Sequence, residues 1–218
     1  MLYICSLKEK QMLKVENISV SYDGESVLEA FSCHVQRGDF ACVTGRSGCG
    51  KSSLLKALVG MAPIGSGMIS VDGAALNEKS CHIVREKVSY LPQDLQFPYD
   101  YVKDFIDVMM RVGKVDDRTK VQSLLQDNMT FLGLDEELLS RRMTELSGGQ
   151  RQRLVLAVLA LLDKEVWLLD EPTAALDAES RNLVIEFLLR LQREGKTIVA
   201  VSHDACFASH CSKVIRID

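Results

Sequence analysis

Hydrophobic and polar positions alternate along 13–20 and again along 31–35, the period of half-buried strands, with Asp23-Gly24 between them as a turn signal. Phe40-Ala41-Cys42-Val43 is an unbroken apolar run that feeds straight into Gly45-Arg-Ser-Gly-Cys-Gly-Lys-Ser52. Beyond it, 53–59 carries helical spacing and good helix formers. Short strands are predicted at 68–72 and 88–91, with Asp72-Gly73 as a turn. From about Tyr99 to Ser140 the period changes. Phe105, Val108, Met109 and Val112, then Val121, Leu124, Leu125, Phe131 and Leu132, follow helical spacing with no strand signal between them. That stretch reads as a helical insert in an α/β frame. A helix from about Gln150 to Leu162 leads into Val166-Trp-Leu-Leu-Asp170, an almost wholly apolar run suited to a strand buried on both faces of a parallel sheet. A helix near 179–193, a strand at 197–201, a short helix from His203 and a last strand at 214–217 complete the frame.

Composition narrows the class. With 218 residues, 47% hydrophobic and 26% charged, the chain fits one large α/β domain, or one domain carrying a small insert, and not a disordered chain. Its net charge of −4 lacks the basic footprint of a dedicated nucleic-acid binder. The longest apolar run, Leu154 to Leu162, falls well short of the ~20 residues that cross a bilayer. Spanning a membrane is excluded, whereas association through a partner is not. Seven cysteines (Cys5, Cys33, Cys42, Cys49, Cys81, Cys206, Cys211) form an odd set with no CxxC pair, which fits a reducing compartment better than a disulfide framework. The N-terminal MLYICSLKEKQ is no secretory signal, and residues 1–11 read as a loose extension of a cytoplasmic domain.

The strongest chemical signal is Gly45-x-x-x-x-Gly50-Lys51-Ser52 between an apolar strand and a helix. Its glycines let the backbone curl so that successive N–H groups point at phosphate oxygens, and the helix start adds its positive end. Lys51 then reaches the β- and γ-phosphates, and the Ser52 hydroxyl is a ligand for Mg²⁺. Asp170-Glu171, at the end of the buried strand 166–170, emerges at the carboxyl edge where α/β sheets bind ligands. Asp170 suits Mg²⁺ and Glu171 suits a base for an attacking water. A third element, Leu146-Ser147-Gly148-Gly149-Gln150 ahead of a helix, is another anion-binding N-terminus. Two phosphate-binding ends exceed what one triphosphate needs, which suggests two chains sharing nucleotides across an interface.

Taken together, Tyr22, the loop 45–52, Gln93, the LSGGQ sequence 146–150, Asp170-Glu171, Ala175-Leu176-Asp177 and His203 occur in the order of the ABC (ATP-binding cassette) nucleotide-binding domains, and the chain resembles that family over 12–218. The resemblance implies a P-loop NTPase core, 12–93 and 163–218, with an N-terminal antiparallel β subdomain and a helical signature subdomain at about 94–162. It implies ATP and Mg²⁺ as ligands. Tyr22 would stack on adenine; Gly45, Arg46, Ser47, Gly48, Cys49, Gly50, Lys51, Ser52 and Ser53 would hold the phosphates. Ser52, Gln93 and Asp170 would face the metal. Glu171, His203, Gln93 and Lys51 would carry the chemistry. Ser147, Gly148, Gly149 and Gln150 would reach the γ-phosphate held by a second copy in a head-to-tail dimer, and Asp177 would contact that copy. Taken on their own, several of these residues have plainer readings: Asp177 as a helix cap, Tyr22 as a surface aromatic near a turn, Gln93 as a polar loop residue after Pro92.

Departures from the family pattern are small. Arg46, Cys49, Ser53 and Ala174 stand where proline, serine, threonine and serine are common, and none removes a phosphate or metal ligand. Cys49 raises a side question of thiol sensitivity, a helix start favouring thiolate, against the plainer reading of a packed cysteine. His203, Cys206 and His210 at i, i+3 and i+7 would share a helix face and resemble a metal set, but packing cysteines and a phosphate-directed His203 explain them better.

The short distance between Lys51 and Ser147 leaves no room for the long coiled coil of the chromosome-maintenance relatives, and one cassette is present where translation-factor relatives have two. The expected partners are therefore a multi-span membrane permease subunit and a second ATPase subunit, with no nucleic acid. The chain would sit in the cytoplasm, peripheral to the inner face of the membrane, with Phe97, Tyr99 and Tyr101 near the edge that receives the permease. The alternative is a soluble ABC-type ATPase acting on a macromolecular assembly. The motif spelling at 44–52 and 134–149 is similar to small bacterial ATPases linked to metal (iron) export, and no regulatory domain is expected after the last strand.

Overall fold

The computed structural model describes residues 11–217 except Asp116 and Ala175, and only the backbone of Arg118. The predicted loose extension at 1–11 lies outside the described residues except for Gln11, which opens the first strand. In chain order the strands are β1 (Gln11–Tyr22), β2 (Glu25–Gln36), β3 (Phe40–Gly45), β4 (Ser66–Val71), β5 (Ala74–Ala75), β6 (Val88–Leu91), β7 (Val166–Asp170), β8 (Thr197–Val201) and β9 (Lys213–Ile217). The helices are α1 (Lys51–Leu58), α2 (Cys81–Lys87), α3 (Val102–Gly113), α4 (Arg118–Phe131), α5 (Gly148–Ala160), α6 (Ala178–Arg193) and α7 (Ala205–Ser209), with 3₁₀ turns at Glu136–Ser140 and Met143–Glu145.

Two sheets result. The first is antiparallel, in the order β2-β1-β4-β5. Its hairpins turn on two Asp-Gly pairs: Tyr22 faces Glu25 across Asp23 (φ 49°) and Gly24 (φ 86°), and Val71 faces Ala74 across Asp72 (φ 48°) and Gly73 (φ 77°). Two successive left-handed residues make the turn whose twist matches that of the strands it joins. The second sheet is wholly parallel, in the order β6-β7-β8-β3-β9. Every residue of β7 and β8 is buried, as expected of strands covered on both faces.

Alternation along the three central strands divides the core. Phe40, Cys42, Trp167, Leu169, Ile198 and Ala200 face one apolar cluster, together with α3, α4, α5 and α6. Ala41, Val43, Val166, Leu168, Val199 and Val201 face the other, with α1 and the antiparallel sheet. On the first side Arg190 of α6 ties in α4: its guanidinium donates to Asn128 Oδ1 at 2.6 Å and lies 4.7 and 4.8 Å from the ring centres of Phe131 and Phe187.

Several boundaries differ from the sequence reading. β2 begins at Glu25, well before 31, because most of its positions are exposed or half-buried and show little apolar pattern. α2 buries only Val84 and was not foreseen. The predicted helix 150–162 runs instead from Gly148 to Ala160, started by a reciprocal cap in which Ser147 Oγ accepts from Gln150 N at 3.1 Å and Gln150 Oε1 accepts from Ser147 N at 3.0 Å. α7 starts at Ala205, capped by Asp204, so His203 stands outside it and the i, i+3, i+7 face does not form. No helix among the described residues is long and apolar enough to cross a membrane.

Candidate active site

β3 ends in the glycine-rich loop, and α1 begins at Lys51 directly after it. Gly50 takes φ +93°, and a Cβ there would lie 2.3 Å from the Val27 carbonyl oxygen, so both conformation and the wall formed by β2 require glycine. The Lys51 side chain folds back under the loop. Its ammonium donates to the Gly45 carbonyl at 3.0 Å and the Arg46 carbonyl at 2.7 Å, and lies 3.9 Å from Cys49 Sγ.

β7 delivers the acidic pair to the carboxyl edge of the parallel sheet. The Ser52 hydroxyl donates to Asp170 Oδ1 at 3.1 Å. Asp170 is buried, and burial pushes its carboxyl above the ordinary range despite the Ser52 hydrogen bond and the nearby lysines, Lys56 and Lys51. Glu171 follows in a left-handed conformation, φ 50°, unusual for a side chain of its size. Its amide donates to the Val201 carbonyl at 3.0 Å, and its own carbonyl accepts from Gln152 Nε2 at 2.9 Å. Glu171 Oε1 is buried and takes no hydrogen bond, with His203 Nε2 3.3 Å away. Burial pushes the Glu171 carboxyl up as well, opposed by the His203 charge.

These groups open onto one cleft of about 760 Å³ lined by Tyr22, Ser47, Gly48, Gly50, Lys51, Ser52, Ser53, Gln93, Glu171 and His203, among others. Sequence-predicted residues from five separate segments are thereby brought together. Asp170 sits behind them, through Ser52. Gly45, Arg46 and Cys49 belong to the same loop and do not line the cleft; the first two contribute carbonyls to Lys51. Ser147, Gly148, Gly149 and Gln150 are not among the described residues lining the cleft, and Ser147 and Gly148 are exposed. Asp177 is also outside it and caps α6, accepting from Ser180 N at 2.7 Å, the local role that any helix start asks of aspartate. That hydrogen bond holds its carboxyl below the usual range.

Four residues near the site had no local sequence signal. Thr173, Arg181 and Asp204 line the cleft, and Gln152 reaches Glu171 from α5. Arg181 Nη1 lies 3.4 Å from Asp204 Oδ2, an ion pair that links the start of α6 to the loop after β8. The expected permease-side aromatics are half-buried: Phe97 and Tyr99 pack on Phe105 of α3, with ring centres 4.9 and 6.2 Å away. Ser52 and Asp170 offer hard oxygen donors beside the phosphate loop, a set that suits a magnesium ion otherwise ligated by phosphate and water.

A glycine-rich loop, an acidic strand end and a histidine converging on the carboxyl edge of a parallel sheet define a P-loop nucleotide-hydrolysing site. The family profile described as ABC transporter matches residues 28–174. The chain is 34% identical over 215 residues to the glutamate/aspartate import ATP-binding protein of Escherichia coli, covering 95% of this chain and 87% of that one. It is 29% identical over 198 residues to the manganese transport system ATP-binding protein of Bacillus subtilis, covering 88% and 77%. Its fold matches, at TM-score 0.86, 22% identity and 95% and 94% coverage, a dimeric ATP-binding cassette in a post-hydrolysis state bound to ADP and Pi. The chain belongs to the ABC transporter family. It is an ATP-binding, ATP-hydrolysing subunit of that family.

Proposed function

We propose that this chain hydrolyses ATP in the cleft between the glycine-rich loop and β7, and does so as half of a head-to-tail pair that drives a separate multi-span membrane subunit. The observation that carries the pairing is the position of the LSGGQ segment. Ser147 caps α5 and Gly148 opens it; both are exposed and neither is among the described residues lining the chain's own cleft, as a second phosphate-binding end needs if it serves another copy's nucleotide.

Within one cleft, Tyr22 supplies a ring for adenine, and the loop amides with Lys51 hold the phosphates. On nucleotide binding Lys51 exchanges the Gly45 and Arg46 carbonyls for β- and γ-phosphate oxygens. Ser52 and Asp170, with Gln93 at the edge, would hold Mg²⁺, whose charge neutralises the phosphates. Glu171 takes a proton as water oxygen bonds to the γ-phosphorus; the bond to the bridging oxygen breaks, and ADP leaves. His203, beside Glu171, hydrogen-bonds the γ-phosphate. Asp177 meets the partner copy.

The division of labour follows the chain: 12–93 and 163–218 as the nucleotide core, about 94–162 as the helical part whose edge near Gln93 and 97–102 receives the membrane subunit. The chain thus works in the cytoplasm against the inner membrane face. Relatives of comparable identity are named for manganese transport and for glutamate/aspartate import, so cargo choice falls to the membrane subunit. The test is to recover the Glu171→Gln chain from solubilised membranes with ATP and identify its companions by mass spectrometry. A multi-span protein supports the reading; soluble assemblies alone would replace it with an ATPase acting off the membrane.

A further inference from the structure

Gln152 lies on the second turn of α5, two residues beyond the LSGGQ segment, and is buried at 8% exposure. A buried amide needs partners, and this one finds a backbone: Nε2 donates to the Glu171 carbonyl at 2.9 Å. Glu171 is held from the other side by Val201 of β8, 3.0 Å from its amide. Between these two anchors the residue keeps φ 50°, a conformation that a non-glycine residue holds only where its surroundings impose it. The same backbone turn sets where the carboxylate stands, with Oε1 buried, without a hydrogen bond and 3.3 Å from His203.

We infer that Gln152 is a positioning residue for ATP hydrolysis: through the Glu171 carbonyl it makes the placement of the carboxylate depend on the position of α5, and hence on what the LSGGQ segment at the start of that helix binds. This rests on the proposed role of Glu171 as the base. Gln152 itself is not among the described residues that line the cleft. Its hydrogen bond transmits only the location of one helix to the turn at the end of β7. A displacement of about 1 Å at a reacting group is enough to cost about a hundredfold in rate.

The test compares wild type with Gln152→Met, which keeps the volume and removes the donor, and Gln152→Glu, which keeps the shape and replaces donor by acceptor. Steady-state ATPase kinetics, affinity for a fluorescent ATP analogue and thermal melts are measured for each. The expected result is a fall in kcat of about tenfold to a hundredfold with ATP affinity within about twofold of wild type. A kcat within about twofold of wild type overturns the inference. Equal losses in kcat and nucleotide affinity, or failure of both variants to fold, assign Gln152 to packing alone and overturn it too. A wild-type kcat that survives Glu171→Gln removes the underlying role of Glu171 instead, and is read from that variant independently.

Discussion

Ser52 and Asp170 stand 118 positions apart in the chain, and their side chains meet at 3.1 Å, hydroxyl to carboxylate. The contact joins the first turn of α1 to the end of β7. It keeps a carboxylate in a buried place where burial alone favours the neutral acid. A carboxylate so placed costs stability when ionised, which fits its proposed role as a magnesium ligand. Asp170→Asn is expected to lower ATP turnover by about a hundredfold or more while the thermal midpoint holds or rises. Turnover assays and calorimetry on the same preparation check both halves; a lowered midpoint would show that the carboxylate stabilises the fold.

Glu171→Gln removes the carboxylate proposed to accept the proton and keeps the shape. Turnover is expected to fall by about 10²–10⁴-fold, with ATP still bound and the proposed dimer trapped by it. Light scattering after size exclusion, with and without ATP, reads the dimer directly. Residual turnover near that of the wild type would mean that another group accepts the proton.

Burial raises both Asp170 and Glu171 in the folded chain, which fixes the sign of a pH effect. Between the ordinary carboxylate range and the raised folded values, the native state binds more protons than the unfolded one. Stability therefore falls as pH rises through that window, the reverse of an ordinary salt-bridged carboxylate. Activity is expected to move the other way, since Glu171 as the proposed base must be ionised. Denaturant midpoints followed from about pH 4 to about pH 7 should decline less steeply in an Asp170→Asn, Glu171→Gln double variant than in wild type.

Gly50→Ala places a methyl group 2.3 Å from the Val27 carbonyl oxygen at φ +93°. The loop must move off β2, so nucleotide binding is expected to be lost together with more than about 1 kcal/mol of stability. Equilibrium unfolding and a fluorescent-nucleotide titration measure the two effects.

Arg190→Ala leaves the buried Asn128 carbonyl without its 2.6 Å donor and strips the cation from between Phe131 and Phe187. About 1–3 kcal/mol of destabilisation is expected. Arg190→Lys should recover little of it, because a compact, strongly hydrated ammonium loses more on leaving water than a delocalised guanidinium does. Urea unfolding of the three chains gives the comparison.

The apolar runs 40–43 and 166–170 and the glycine-rich loop between strand and helix were legible because each is local: period, turn chemistry and motif spacing are written in consecutive residues. The edge of β2 was not. Its outer positions face solvent and carry no alternation strong enough to mark a strand start at Glu25. The start of α5 was read at Gln150 because Gly148 and Gly149 are poor helix formers, yet the Ser147–Gln150 reciprocal cap outweighs them. Gln152 and the Arg181–Asp204 pair were invisible for another reason. Their meaning lies in partners 19 and 23 positions away, brought together only by packing of α5 and α6 on the sheet.

Along β3, β7 and β8, odd and even residues serve different apolar clusters, as with Trp167 on one face and Leu168 on the other. Sliding any of these strands by one residue would turn both clusters inside out at once. The helical face and the face that carries the nucleotide loop therefore share one register, and a slip that disturbs one disturbs the other.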